Sequence, residues 1–438
     1  MLRLQPKEPD LWDSILPKEV RRLSEELERV NQILDDERLM EPFVRRFSTK
    51  MGRPTIPVAT YVRLMYLKSR YKLGYETLVD EVADSISWRI FCGIGCQGKV
   101  PDASTLIKLT HKYGEEILKE MHGLIIENLK GKKLIRGRKI RMDTTVVESD
   151  IHYPTDMTLH RDGLRRMRGI INKIGGLGLR IGRTLSKVKK MNFAGIQWLR
   201  KKGKKSREKV NEINREIIKI TRKAIEKVKE ALPKIEDKKR RRQLEETVEI
   251  TEGMSRQNEE RLNGGSPTER IVSIVDPKAR PIKKGKLNKS VEFGRIADIV
   301  QDTSGYITQY GVFEGNPSET GMLLDIVKGH QDQFGKAVKI AADTGFASDD
   351  NFKLLKAMGI QQIGIPSRGK PPPEIRRRQK SKWFNELRNF RAGIEATIRF
   401  LDRKFGFKRS MYRGNTGTEI WVGWVMISAN LYRYARIP

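Results

Sequence analysis

Residues 338–366, VKIAADTGFASDDNFKLLKAMGIQQIGIP, limit the possible folds more than any other stretch. They open on a short apolar run, Val338, Ile340, Ala341 and Ala342, of strand length rather than helix length. Asp343 follows at once, and then Thr344-Gly345, where glycine relaxes the backbone for a turn. Ser348 suits the N-cap of a helix with Phe352, Leu355 and Met358 on one side. Gly359 stops that helix, and residues 360–365 read as a second buried strand closed by Pro366. A strand–helix–strand unit implies two parallel neighbours in an α/β fold. Asp343 then lies at the carboxyl end of a strand, where open α/β sheets gather their chemistry. Capping the following turn explains an aspartate there equally well.

The 438 residues give room for two or three domains. Lys and Arg total 88 against 55 Asp and Glu, a net charge of +33. Such an excess repels itself unless a polyanion is the partner, so nucleic acid is expected ahead of a membrane surface. The opening residues lack the apolar core of a signal peptide. The longest apolar stretch, residues 420–431, is too short to span a bilayer and suits a buried terminal helix. Only two cysteines occur, Cys92 and Cys96, which fits a reducing cytoplasm. With His111 and His122 as the only nearby partners, zinc is not expected.

Apolar residues at Leu16, Val20, Leu23, Leu27, Val30 and Leu34 predict one amphipathic helix. From Gly52 to about residue 130, short helices rich in Arg, Lys and Tyr suit either a helix-turn-helix-like DNA reader or an ordinary helical bundle. Residues 139–147, KIRMDTTVV, alternate and are β-branched, predicting a strand with Asp143 in its middle. Residues 161–242 hold 29 Lys and Arg against 8 Asp and Glu, the main positive surface. Val210, Ile213, Ile217, Ile220, Ala224 and Val228 mark a long helix, and Pro233 breaks it before a return helix. The segment thus reads as a basic helical hairpin over 161–265, closed at Gly264-Gly265-Ser266-Pro267. Residues 270–275 predict a short strand, followed by basic loop residues Lys278, Arg280, Lys283, Lys284 and Lys286. Residues 291–301 and 306–313 predict a hairpin around Asp302-Thr303-Ser304-Gly305. The expected divisions are 1–130, 131–160, 161–265 and 266–438.

After the loop PSRGKPPPEIRRRQK, a last helical run carries Phe390, Ile394, Ile398 and Leu401 as its apolar stripe. Glu395 sits at the border of that stripe, where it can pair with Arg391 or Arg399, or serve as a third carboxylate in a DNA-facing groove. A mixed sheet with helices on its faces can bring the Asp143 and Asp343 strands side by side under the Glu395 helix. Three close carboxylates repel one another, and divalent cations remove that penalty. An all-oxygen ligand set favours Mg²⁺ or Mn²⁺. Two such ions suit phosphodiester displacement.

Four pieces of text, MDTTVVESDIHYPTD, GVFEGNPSE, AADTGFAS and FRAGIEATIRFLDRKFGFKRSMYRG, resemble the DDE transposases of bacterial insertion sequences. The resemblance runs from about Gly52 to the carboxyl terminus and is weakest over the basic hairpin. It implies an RNase H-like core interrupted by the hairpin after its first strand. It also implies a metal-binding triad of Asp143, Asp343 and Glu395, served by two Mg²⁺ ions with Mn²⁺ as substitute. Arg391 would contact DNA near the cleaved end, with Arg403 and Lys404 holding phosphates. In the family's tyrosine–arginine–glutamate–lysine signature, Arg388 stands here in place of tyrosine and Asp402 in place of lysine. The implied activity binds terminal inverted repeats, exposes 3′-hydroxyls and joins them to target DNA. A nuclease or resolvase without strand joining, or an inactive DNA-binding derivative, would share the same text. The implied partners are double-stranded DNA and a second copy of the chain, in the cytoplasm with the nucleoid and away from membranes.

Overall fold

The computed structural model describes residues 1–6, 15–201, 203–283, 291–335 and 337–437. Lys284 and Lys286, two of the basic loop residues, lie outside them. The chain forms two compact units, one of Met1–Glu148 with Arg295–Pro438 and the other of Ser149–Gly294. These divisions fall at 148/149 and 294/295.

In the first unit, the amphipathic stretch after Leu16 is broken: one turn at Lys18–Arg21 precedes α1 (Glu25–Leu34). Ser24 interrupts it because its hydroxyl accepts from the Leu27 N–H, the bond that starts a new helix. The helices α2 (Val58–Tyr71), α3 (Tyr75–Asp84), α4 (Ile86–Phe91) and α5 (Ala103–Gly131) follow. Residues 58–69 of α2 are all buried, which is the placement of a central core helix. Even its cations are spent inside. Arg63 pairs with Asp35, and the Lys68 ammonium lies 4.6 Å over the Tyr75 ring, with burial pushing its pKa down to about 8. Tyr61, Leu106 and Ile117 share one core with Trp424, Ile427 and Leu431 of the carboxyl-terminal helix.

The second unit holds four helices where a hairpin was expected: α6 (Asp156–Ile174), α7 (Gly182–Arg200), α8 (Lys204–Ala231) and α9 (Lys238–Leu262). The α8–α9 pair is the predicted hairpin, and α6 and α7 complete a bundle around Leu164, Val188, Ile217 and Val248. Residues 270–275 form no strand. Ile271 is instead tied through its backbone to the Gln257 side chain, at 2.8 and 2.9 Å.

The strands are β1 (Lys139–Glu148), β2 (Arg280–Lys283), β3 (Val291–Asp302), β4 (Ile307–Phe313), β5 (Lys339–Ala341) and β6 (Gln362–Gly364). In the second unit, β2 pairs with Val291–Gly294 at the start of β3. In the first unit the order is β4–β3–β1–β5–β6, with β3 and β4 forming the predicted hairpin and β1, β5 and β6 parallel. The helices α10 (Glu319–Phe334) and α11 (Asp349–Ala357) flank β5; Ser348 starts α11 as its sequence suggests, and Ser318 starts α10 in the same way. A further helix, α12 (Pro373–Lys380), forms inside the stretch read as a loop. Two long helices close the chain, α13 (Lys382–Phe405) and the buried α14 (Gly414–Tyr434). Among the described residues no helix is long and apolar enough to cross a membrane.

Candidate active site

Parallel pairing sets the first part of the site. The register matches Lys139 with Lys339 and Arg141 with Ala341, so two residues further on Asp143 and Asp343 stand at the same level. Neighbouring strands lie about 4.8 Å apart. The two aspartates use their oxygens alike. Asp143 Oδ1 accepts from the Thr144 N–H at 2.8 Å, and Asp343 Oδ1 from the Thr344 N–H at 2.7 Å. Asp343 therefore does cap its turn through Oδ1, as turn statistics suggest, which leaves Oδ2 to face α13.

Helix α13 supplies the rest. It packs across β1, β5 and β6, with Ile394 and Ile398 turned into the core and Glu395 at the exposed border. The Arg391 guanidinium reaches all three carboxylates: Asp143 Oδ2 at 3.1 Å, Asp343 Oδ2 at 3.2 Å and Glu395 Oε1 at 3.0 Å. The i,i+4 ion pair and the acidic cluster, which the sequence left as rivals, are one structure.

Three acids thus meet at a single positive charge. The donors are all oxygen, as a hard divalent cation requires, and they converge where the chain itself places a cation. Among the described residues no three His, Cys, Asp or Glu side chains already stand in metal-binding arrangement. The donor set fits a divalent ion in chemistry, and Arg391 is the cation these carboxylates meet in this structure.

Arg141, which sequence reading passed over, fixes the helix on the sheet. Its Nε and Nη2 donate to Gln301 Oε1 at 2.8 and 2.6 Å, and its Nη1 donates to the Phe390 carbonyl at 2.8 Å. Thr397 of α13 donates to the same Gln301 oxygen at 2.8 Å. Partial burial, with Arg433 adding to it, lowers the Arg141 pKa from its ordinary value. Its position was legible: two residues from Asp143 in a strand means the same face. The guanidinium lies where a Cβ at position 393 would be. Alanine normally favours a helix over glycine by about 1 kcal/mol. Gly393→Ala is nevertheless expected to destabilise the chain by about 1–3 kcal/mol, because Arg141 is pinned at both ends and cannot yield freely. Urea unfolding checks the sign.

Arg403 lies twelve residues, or about 18 Å, along α13 from Arg391, and its side chain is exposed. Lys404 is turned about 220° around the helix from Arg391. Neither joins the acid cluster. Asp402, in the place of the family's lysine, accepts from the Lys408 N–H at 3.1 Å and so serves the end of the helix. Arg388 is exposed one turn before Arg391.

The family model described as Transposase domain (DUF772) matches residues 14–112, and the one described as Transposase DDE domain matches residues 267–431. The second match includes Asp343, Arg391 and Glu395, and it gives the sheet of the first unit an RNase H-like identity. Asp143 lies between the two matched segments, so its place beside Asp343 rests on strand register. No curated protein and no solved structure matches the chain.

Proposed function

Since this chain belongs to the insertion-sequence DDE transposases, we propose that it binds the terminal inverted repeats of its element, cleaves there to expose 3′-hydroxyls, and joins them to target DNA. The observation that carries this reading is the convergence of Asp143, Asp343 and Glu395 on one guanidinium. In this reading those three carboxylates hold two Mg²⁺ ions, or Mn²⁺ in their place. Bound divalent ions would activate the attacking water or 3′-hydroxyl and stabilise the departing oxygen of an in-line displacement.

The chain's own groups have separate duties. Asp143 and Asp343 each keep one oxygen on a backbone N–H, which orients the other into the site. Arg391 balances the acids in the free protein and exchanges them for a DNA phosphate near the cleaved end. Arg403 and Lys404 hold phosphates further along α13. No histidine base is required. The working complex contains two copies of the chain, one for each element end, and acts in the cytoplasm on nucleoid DNA.

The test uses DNA carrying the element's ends. Cleavage in Mg²⁺, followed by joining of a pre-nicked end to a second duplex, is the expected result. Cleavage without joining would make the protein a nuclease. Neither product, with DNA bound, would make it an inactive derivative. A net charge of +33 also predicts steep salt dependence. If six or more phosphates are engaged, affinity falls on the order of 10³-fold between 50 and 200 mM salt. Gel shifts across that range measure it, and a flat profile would remove the phosphate contacts.

A further inference from the structure

The three acids of the site share one face of the sheet, and a fourth carboxylate stands behind it. Thr144 follows Asp143 in β1 and so projects from the opposite face, where it is buried. Its hydroxyl donates to Glu319 Oε1 at 2.7 Å. The other oxygen of Glu319 fills the space where a Cβ at position 345 would be, directly over Gly345. Gly345 is two residues beyond Asp343, and it adopts no left-handed conformation. A turn therefore does not require glycine there. The close approach of Glu319 does.

Glu319 is the first residue of α10, and the start of that helix is tied to the Asp343 loop a second time. Asn351 Nδ2 donates to the Thr320 carbonyl at 2.8 Å and to the Phe346 carbonyl at 3.0 Å. An acid at a helix N-terminus is favourable anywhere, through the helix dipole. The dipole does not explain one carboxylate spanning the residue after Asp143 and the loop after Asp343.

We propose that Glu319 is a positioning residue: by joining Thr144 to Gly345 behind the sheet, it sets the separation of Asp143 and Asp343 and hence the affinity of the site for a divalent ion. This rests on reading those two aspartates as metal ligands. The effect is of the kind made by groups that orient ligands without touching the metal, whose loss typically weakens binding 10- to 100-fold.

The experiment measures Mn²⁺ binding to the full chain by electron paramagnetic resonance, alongside thermal unfolding. Glu319→Ala is expected to weaken Mn²⁺ binding roughly 10- to 100-fold, with Thr144→Val moving in the same direction. Glu319→Gln keeps an oxygen for Thr144 and stays close to the parent. Gly345→Ala weakens binding, and adding Glu319→Ala recovers part of that loss because the clash is gone. A purely structural role would lower the melting temperature and leave Mn²⁺ affinity unchanged. If Asp143→Asn and Asp343→Asn bind Mn²⁺ like the parent, the metal reading fails and this proposal with it. If those two lose Mn²⁺ while Glu319→Ala and Thr144→Val keep it, the positioning role alone is overturned. Should Glu319→Ala not fold, Thr144→Val against Glu319→Gln decides.

Discussion

Asp343→Asn is expected to slow Mg²⁺-dependent cleavage sharply while leaving DNA binding intact, and Asp143→Asn and Glu395→Gln are expected to do the same. Each change removes one charge and almost no volume. The Oδ1 that accepts from the next residue's N–H has a counterpart in asparagine, so the local turn and strand persist. What disappears, on the proposed function, is a ligand charge. Metal ions lower such barriers by several kcal/mol. At 1.36 kcal/mol per factor of ten, losing most of that slows cleavage on the order of 10³-fold. DNA binding depends on the cationic surface and is expected to hold or to rise slightly as an acid is neutralised. Single-turnover cleavage and gel shifts on the same preparations separate the two effects. Cleavage by Asp343→Asn at the parent's rate would take the aspartate out of the chemistry.

Much of this site was legible in the sequence because the residues involved lie on regular elements with a fixed period. A strand of alternating, β-branched residues fixed the face of Asp143, and a strand–helix–strand unit placed Asp343 at a strand end. The 200-residue offset between β1 and β5 is a matter of pairing, and no local pattern encodes pairing. For the same reason the role of Gly345 was misread. Its neighbourhood looks like a turn, while the residue that demands glycine, Glu319, is distant in the chain. The family signature assigns Arg391 to DNA, a role that depends on a partner outside the chain. In the free chain the nearest anions are the acids themselves. Burial of α2 was hidden by its Arg and Lys residues, which period analysis counts as solvent-facing but which here find Asp35 and Tyr75 inside.

Arg391→Gln is expected to bind Mn²⁺ more tightly than the parent when no DNA is present, and to cleave more slowly when it is. The first effect follows from competition. A divalent ion can enter only as the guanidinium gives up its three carboxylates, so their ion pairs count against metal binding. Exposed pairs are worth about 0.2–1 kcal/mol and breaking buried ones costs about 3–5 kcal/mol. Arg391 and Asp143 are 19% and 13% exposed, whereas Asp343 and Glu395 are 52% and 55% exposed, so the set lies between these limits. A difference of about 2 kcal/mol corresponds to roughly 30-fold tighter Mn²⁺ binding in the glutamine variant. Without metal the variant leaves three acids facing one another and melts at a lower temperature than the parent, and Mn²⁺ restores more of its stability than it does for the parent. The second effect follows if the freed guanidinium goes to a phosphate, a contact that glutamine cannot replace in charge. Arg391→Lys should fall between, since one ammonium cannot span three carboxylates as a planar guanidinium does. Titrations with Mn²⁺ and single-turnover cleavage, made on the same variants, give two quantities that must move in opposite directions. If Mn²⁺ affinity is unchanged or lower in Arg391→Gln, the arginine does not compete for the site, and the acids must close on the ions without displacing it.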